Sequence, residues 1–182
     1  YSWSNDQGVL LGSSETLSLT NENSQPYESI HCTVEVTPSI ETVSSTATVV
    51  IGNILPTIDS VSLTPQSPTV DSVIECSIQG AFDQEEASLV EEYRWYLNGW
   101  LQSESSSQFS SAQLSVKDKV QCSTRVFDGF AYSSWHNAQV VIQNQVPVID
   151  SVHISPSGTI FASDILTCSY VATDPDGDAV QV

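Results

Sequence analysis

The sequence contains no methionine and only four basic residues in 182, against 22 aspartate and glutamate residues. The formal charge of -18 argues against nucleic acid or an anionic lipid surface as a partner. Cations are the more compatible counterpart, and an acidic surface that only keeps the protein hydrated is the alternative explanation. The sequence also lacks a long apolar run, so we expect no membrane span in this segment.

Recognisable catalytic groupings are absent as well. The three histidines, His31, His136 and His153, share no spacing. No glycine-flanked serine or paired acid indicates a nucleophile or a general base, and serine is so frequent that a single one carries no catalytic meaning. We therefore expect that the protein is not an enzyme.

The cysteines indicate the compartment. The chain has four of them and no Cys-x-x-Cys pair, and only His31 lies beside one of them, so structural disulfides are favoured over a metal site. Disulfides persist in oxidising environments. We expect an extracellular protein, at the cell surface or in a secreted filament.

A repeat with a period of about 91 residues organises the chain. Residues 56–65 recur as residues 147–156, and a cysteine-bearing segment follows each copy. Apolar residues alternate with polar ones around every cysteine, which is typical of half-buried strands. The high serine and threonine content, together with turn pairs such as Asn98-Gly99, predicts an all-β protein.

The repeat predicts that the first and the last segment of the sequence are parts of divided domains. Cys76 and Cys122 are 46 residues apart, and the stretch after Cys168 combined with the stretch up to Cys32 gives the same spacing. We expect residues 1–52 to be the C-terminal part of one domain, 53–143 a complete domain, and 144–182 the N-terminal part of a further domain. Adjoining copies of the protein would complete both parts, either covalently in one long polypeptide or head to tail between subunits.

Several motifs carry a resemblance to a known class of domains. They are the Asn-x-x-Pro linkers at 53–56 and 144–147, the Asp-Ile-Leu-Thr-Cys segment at 164–168, the acidic loop at 174–178, Tyr-x-Trp at Tyr1 and Tyr93, and residues 118–122. With these motifs the chain resembles the tandem immunoglobulin-like and PKD-like domains of very long prokaryotic surface proteins.

This resemblance implies tandem immunoglobulin-like β-sandwiches, each with an intradomain disulfide. Cys76 would pair with Cys122, and Trp95 would pack on their bridge. Trp3 takes the same role in the divided domain, where Cys32 and Cys168 would find their partners in an adjoining repeat or subunit. The linkers are only a few residues long, which favours a semi-rigid rod.

Three carboxylates lie close together around Gly177 and form a candidate calcium site. Calcium binds several oxygen ligands on an irregular loop, and the proposed ligands are Asp174, Asp176, Asp178 and, from the linker, Asn144. A solvated acidic turn is the alternative. The interior copy has Asp83-Gln84-Glu85-Glu86 instead and continues to Glu91 and Glu92, and we expect no tight ion site there.

Two aspartates and a group of aromatic residues each have two possible roles. Asp59 and Asp150 follow the linker prolines at equal positions and would either cap a strand or face the joint. Aromatic residues outside the expected core would form a platform for glycans or pack at the joint between domains; they are Trp100 and Trp135, with Tyr96, Phe130 and Tyr132 nearby.

These observations predict a non-catalytic structural repeat of an extracellular filament, stalk or giant surface adhesin. The alternatives are a module that binds glycans or another cell's surface, with Trp100 and Trp135 as contacts, and a spacer of a secreted enzyme. The expected partners are adjoining copies of the chain, and other surface proteins or glycans are further candidates.

Overall fold

The computed structural model describes residues 1–37, 41–85, 88–111 and 113–181. Their regular structure consists of strands alone, which confirms the all-β prediction. No helix in this described part is long and apolar enough to span a membrane. The strands are β1 (Ser2–Asn5), β2 (Leu10–Gly12), β3 (Ser29–Val36), β4 (Val43–Val50), β5 (Ser60–Thr64), β6 (Ile74–Gln79), β7 (Val90–Leu97), β8 (Trp100–Leu101), β9 (Gln108–Phe109), β10 (Lys119–Phe127), β11 (His136–Val141), β12 (Val148–Ser155) and β13 (Thr167–Thr173).

The chain forms two compact units. The first comprises Tyr1–Ser60, Ile78–Glu92 and Arg125–His136, and the second comprises Val61–Ser77, Tyr93–Thr124 and Asn137–Val182. Five strands contribute residues to both units, namely β5, β6, β7, β10 and β11. The domain boundaries at 52/53 and 143/144 stay a prediction, and two residues of the sequence hypotheses, Glu86 and Val182, lie outside the described residues.

The first unit contains a four-stranded antiparallel sheet with the order β2-β1-β3-β4. Cys32 is in register with Trp3 on β1 and with Ala47 on β4, and Ile30 is in register with Val49. Because side chains alternate across a sheet, these five residues share one face. Ile30 is buried, whereas Val49 is largely exposed, so this face is only partly covered.

The second unit holds most of the buried core. Its buried apolar side chains are Leu63, Ile74, Cys76, Tyr93, Trp95, Phe109, Leu114, Val120, Cys122, Val140 and Ile142. Strand β6 lies in a sheet of order β5-β6-β9, and β10 lies in a sheet of order β11-β10-β7-β8. The Cys76–Cys122 disulfide therefore joins two sheets. Burial of each large apolar side chain contributes about 1.5 to 3 kcal/mol.

The hairpin between β7 and β8 shows how local sequence determines a turn. Asn98 and Gly99 adopt φ angles of 52° and 87°. A two-residue turn with both φ angles positive matches the twist of its flanking strands, and Asn-Gly is the preferred pair for it. Leu97 and Trp100 consequently pair directly across the turn.

Strands β12 and β13 form a two-stranded antiparallel ribbon in the second unit. Ile154 is in register with Cys168, and Val152 with Tyr170. All four side chains lie on one face of the ribbon by strand alternation, and all four are exposed. A two-stranded ribbon with an uncovered apolar face is marginal in water without further packing.

Candidate functional site: repeated linker contacts and two free cysteines

The two cysteines predicted to pair, Cys76 and Cys122, form a disulfide between fully enclosed positions. Trp95, the predicted packing partner, has no exposed surface and stacks on Phe109 with 5.3 Å between ring centroids. Its indole Nε1 donates to the carbonyl oxygen of Ser106 at 2.8 Å. Burial of the large ring is thus compatible with its polar N–H, because that group has an acceptor.

The same indole contact occurs a second time in the chain. Trp3 Nε1 donates to the carbonyl oxygen of Ser14 at 2.9 Å, and in both copies the acceptor lies 11 residues after the tryptophan. The sheet orders β2-β1-β3-β4 and β8-β7-β10-β11 also correspond strand by strand. Trp3, however, is only half-buried. The two segments therefore share one local design and differ in how far it is covered.

A second matched contact links the end of the tryptophan strand to the cysteine strand. The backbone N–H of Lys119 donates to Asn98 Oδ1 at 2.9 Å, and the N–H of Ser29 donates to Asp6 Oδ2 at 2.8 Å. This hydrogen bond from Ser29 is the main reason why the pKa of Asp6 lies below its ordinary value, with a smaller effect from His31. A side-chain oxygen thus accepts the hydrogen bond in both copies, the amide oxygen of Asn98 in one and a carboxylate oxygen of Asp6 in the other.

The linker after β4 is held by an acidic loop in the first unit. The backbone N–H of Ile54 donates to Glu85 Oε1 at 3.0 Å. Glu85 is itself fixed, because its own N–H donates to Asp83 Oδ1 at 2.9 Å. The acidic loop therefore provides the acceptor for a backbone N–H of the linker. Its carboxylates thus have a structural role.

The linker before β12 is held in the same way in the second unit. The N–H of Gln145 donates to Asp176 Oδ2, and its Nε2 lies 3.4 Å from Asp176 Oδ1. The N–H of Asp176 donates to Asp174 Oδ1 at 2.9 Å. Asp174 and Asp176 thus perform the tasks that Asp83 and Glu85 perform one period earlier. Sequence reasoning missed this correspondence, and the signal for it was the equal distance of both loops from the linker asparagines.

Asp128 forms a second anchor for the first of these linkers. It is buried and accepts hydrogen bonds from Asn53 Nδ2 at 3.0 Å and from the N–H groups of Phe130 and Ala131 at 2.6 Å each. Burial of the carboxyl group raises its pKa, but the hydrogen bonds outweigh that effect, and the pKa of Asp128 lies below its ordinary value. The ionised form is therefore the one that holds Asn53. In the sequence Asp128 stands directly before Gly129, and such a pair is typical of a turn and gives no sign of the contact with Asn53.

A polar cleft of about 350 Å³ lies beside these contacts, within the first unit. Its lining includes Asn21, Glu22 and Gln25 together with Asn53, Glu85 and Phe130. The ring of Tyr27 lies 5.8 Å from that of Phe130. Phe130, one of the aromatic residues with two open interpretations, thus packs against a residue that precedes the linker.

The two tryptophans considered for ligand binding differ in their surroundings. Trp100 is 77% exposed on the short strand β8. Trp135 contacts Arg125, whose guanidinium lies 4.5 Å from its ring centroid and 3.6 Å from that of Tyr132. Arg125 also pairs with Glu92 at 2.8 Å. Trp100 is therefore the more exposed of the two tryptophans, since Trp135 is half-buried, and ligand binding by either stays a prediction.

Three of the four candidate calcium ligands, Asp174, Asp176 and Asn144, make protein contacts with their side chains. Asp176 binds Gln145, Asp174 Oδ1 accepts the N–H groups of Asp176 and Asp178, and Asn144 Nδ2 donates to the carbonyl oxygen of Gln145. Across residues 1–37, 41–85, 88–111 and 113–181, no three His, Cys, Asp or Glu side chains are arranged to hold a metal ion. Calcium binding stays a prediction.

Asp59 has a structural surrounding in the first unit. Its carboxylate lies directly against the Cα of Gly80, which has a φ angle of 64°, so a side chain at position 80 would collide with it. The N–H of Asp59 donates to the carbonyl oxygen of Gln79 at 3.1 Å. Asp150, at the equivalent position, lies 3.5 Å from the hydroxyl of Thr173. Both carboxylates therefore lie beside the end of the cysteine-bearing strand of their copy, β6 for Asp59 and β13 for Asp150.

The remaining two cysteines are free and lie in apolar grooves. Cys32 is half-buried in a groove of about 210 Å³ with Trp3, Ile30, Ala47 and Val49. Cys168 is exposed in a groove of about 450 Å³ on the β12–β13 ribbon, whose other lining residues include Val148, Val152, Tyr170, Ala172 and Val180.

Comparisons of the chain with protein-family models, with curated proteins and with solved structures found no match. The candidate functional features therefore come from the structure of this chain alone. They are a bridged core, linkers held by acidic loops, and two apolar grooves that each contain a free thiol.

Proposed function

We propose that the chain is a non-catalytic structural repeat of an extracellular filament, stalk or giant surface adhesin, built from tandem immunoglobulin-like sandwiches. The observation that carries the proposal is the recurrence of the whole local design along the chain. The four-stranded sheet with its indole contact occurs twice, and the linker contact with an acidic loop occurs twice. Repetition of a module together with its joint is what a tandem array requires.

The proposed task is mechanical. The Cys76–Cys122 disulfide closes a loop of 46 residues, and the chain-entropy estimate gives it about 4 kcal/mol of stability. The linker hydrogen bonds to Glu85, Asp128 and Asp176 oppose bending at the joints. Hydrogen bonds to ionised carboxylates contribute about 1.5 to 3 kcal/mol each. An array of such modules would keep its length under load.

An extracellular location fits both the disulfide and the surface. A bridge between enclosed cysteines is stable in an oxidising compartment. The high negative charge keeps long arrays soluble and opposes their unspecific aggregation.

Immunogold electron microscopy of the producing cells tests the proposal. Antibodies raised against the chain should label extended structures at regular intervals outside the cell. Antibody that has been pre-absorbed with the purified chain provides the control. Gold confined to the cytoplasm would contradict the proposal.

The exposure of Trp100 supports one alternative, a glycan-binding module. A glycan array compares the wild-type chain with Trp100→Ala and with the control Trp135→Ala. Retention on a glycan that is lost only with Trp100→Ala would favour this alternative. Equal behaviour of all three chains would favour the structural role.

Calcium at the joint is an additional hypothesis for the loop that contains Asp174, Asp176 and Asp178. A bound ion would stabilise the native state by mass action. We expect a higher melting temperature in millimolar calcium than in chelator, and a smaller difference for Asp178→Asn. Identical melting curves in calcium and chelator would remove the ion from the account.

A further inference from the structure

Two apolar faces, one of them partly covered and the other exposed, lie in a chain that is otherwise strongly acidic. One is the face of the β2-β1-β3-β4 sheet around Cys32, and the other is the face of the β12–β13 ribbon around Cys168. Among the described residues, no Asp, Glu, Lys or Arg lines either groove. In a chain with a formal charge of -18, these are surfaces that can meet without placing like charges in direct contact.

The core of the second unit shows what covers such faces. There the cysteine of a β5–β6 pair is bridged to the cysteine of a four-stranded sheet, and both cysteines are buried. The ribbon corresponds to β5–β6, since Ile154 occupies the position of Leu63 and Cys168 that of Cys76 in the repeated sequence. The β2-β1-β3-β4 sheet corresponds to the sheet of Cys122.

The exposed fractions of matched residues show how much packing the two open faces lack compared with the interior core. Leu63 is 1% exposed, whereas Ile154 is 61% exposed. Trp95 has no exposed surface, whereas Trp3 is half-buried. Each face therefore has the side chains of a core but lacks the sheet that would cover them, and each is of the type that covers the other.

We propose that the β12–β13 ribbon of one copy of the chain packs on the β2-β1-β3-β4 sheet of a second copy, and that Cys168 forms a disulfide with Cys32 of that copy. This inference deepens the proposed function and rests on its account of the interior core. In the bridging step two thiols lose two protons and two electrons. A small-molecule disulfide accepts them and is reduced to two thiols.

The contact is heterologous, because the two faces that meet are different. Each copy presents one face of each type, so docking of one pair leaves one free face of each type at the two ends. Growth is therefore open-ended, and the product is a linear chain of copies. Burial of Val152, Ile154 and Tyr170, which are all exposed in the single chain, would stabilise the contact by removing apolar surface from water.

The test mixes unlabelled and ¹⁵N-labelled chains at high concentration in a redox buffer of oxidised and reduced glutathione. Non-reducing digestion and mass spectrometry then identify bridged peptides. We expect Cys32–Cys168 peptides in which one half is labelled and the other is not. Exclusively same-isotope peptides, or quantitative alkylation of both thiols under these conditions, would overturn the proposal.

Two single variants provide a sharper readout. Cys32→Ser and Cys168→Ser should each fail to form bridged oligomers alone. Their equimolar mixture should give a bridged dimer and nothing larger, because only one complementary thiol pair exists in it. Oligomers beyond the dimer would contradict the stated pairing.

The apolar contact is tested separately with Val152→Asp, which places a charge in the ribbon groove. We expect the yield of bridged dimer to fall about tenfold, corresponding to about 1.4 kcal/mol. The control is Val171→Asp, at an exposed position on the opposite face of the same ribbon and outside both grooves. Retention of the Cys76–Cys122 bridge shows that each variant is folded. Equal yields for both variants would contradict docking through the groove. Failure of docking with extracellular immunogold labelling unchanged would leave the structural role intact.

Discussion

Two pairs of cysteines occupy matching strands of this protein and have opposite surroundings. Cys76 and Cys122 are buried and bridged between two sheets, whereas Cys32 is half-buried, Cys168 is exposed, and both are free. The strands around them have the same alternation of apolar and polar residues. A strand's own sequence thus decides which face is apolar, and the sheet opposite decides whether that face is buried.

Removal of the Cys76–Cys122 disulfide should lower the stability most, and it should separate the two cysteine pairs clearly. We expect Cys76→Ser to lower the free energy of unfolding by about 4 kcal/mol, because the unfolded chain gains the entropy of a loop of 46 residues. Urea unfolding followed by circular dichroism measures it. Cys168→Ser is the control and should change the value by less than about 0.5 kcal/mol at low concentration. Equal losses would abolish the distinction between the two pairs.

The two tryptophans provide the next comparison. Trp95→Phe should cost about 2 kcal/mol, because the substitution leaves a cavity in an enclosed core and removes the donor to Ser106. Trp3→Phe should cost less than about 1 kcal/mol in dilute protein, since Trp3 is half-buried. Thermal unfolding of both variants checks the order. A larger loss for Trp3→Phe would mean that its face is covered within the single chain.

The linkers permit a comparison of smaller size. Asn53→Ala should cost about 1.5 kcal/mol, because Asn53 donates to the ionised carboxylate of Asp128. Asn144→Ala should cost about 0.5 kcal/mol, since the side chain of Asn144 donates to the neutral carbonyl group of Gln145. Chemical denaturation of both variants measures the difference. Equal costs would show that Asp128 does not strengthen the first linker.

The change with pH in the stability that Asp128 contributes to the first linker should be the smallest of these effects. The pKa of Asp128 is lower in the folded chain than its ordinary value, so its contribution is present above the unfolded value of about 3.9 and is lost as the pH falls through the folded pKa. The stability difference between wild type and Asp128→Asn should therefore stay constant from about pH 7 to pH 5. It should shrink below about pH 4. A difference that grows on acidification would reverse the sign of the account.

Those parts of the fold that depend on local periodicity were predictable from the sequence. Alternation around Cys76 and Cys122 indicated strands with a common apolar side, and Asn98-Gly99 indicated a hairpin turn. Such signals are short-range, because the strand period and the turn conformation are properties of a few consecutive residues.

The linker contacts could not be predicted in the same way. Ile54 and Glu85 are 31 residues apart, and their bond joins a backbone N–H to a side chain, so no periodic pattern marks it. The sequence showed Asp83 and Glu85 only as acidic residues in a loop. Their role became visible once the loop lay beside the linker and its counterpart at Asp174 and Asp176 made the same bond.

Hydrogen exchange of strands β10 and β3 at low and high protein concentration tests most directly whether the opposing sheet decides burial. The account predicts that β10 amides are protected at both concentrations, whereas β3 amides exchange faster in dilute protein and gain protection as copies assemble. Equal protection of β3 and β10 in dilute, monomeric protein would contradict it.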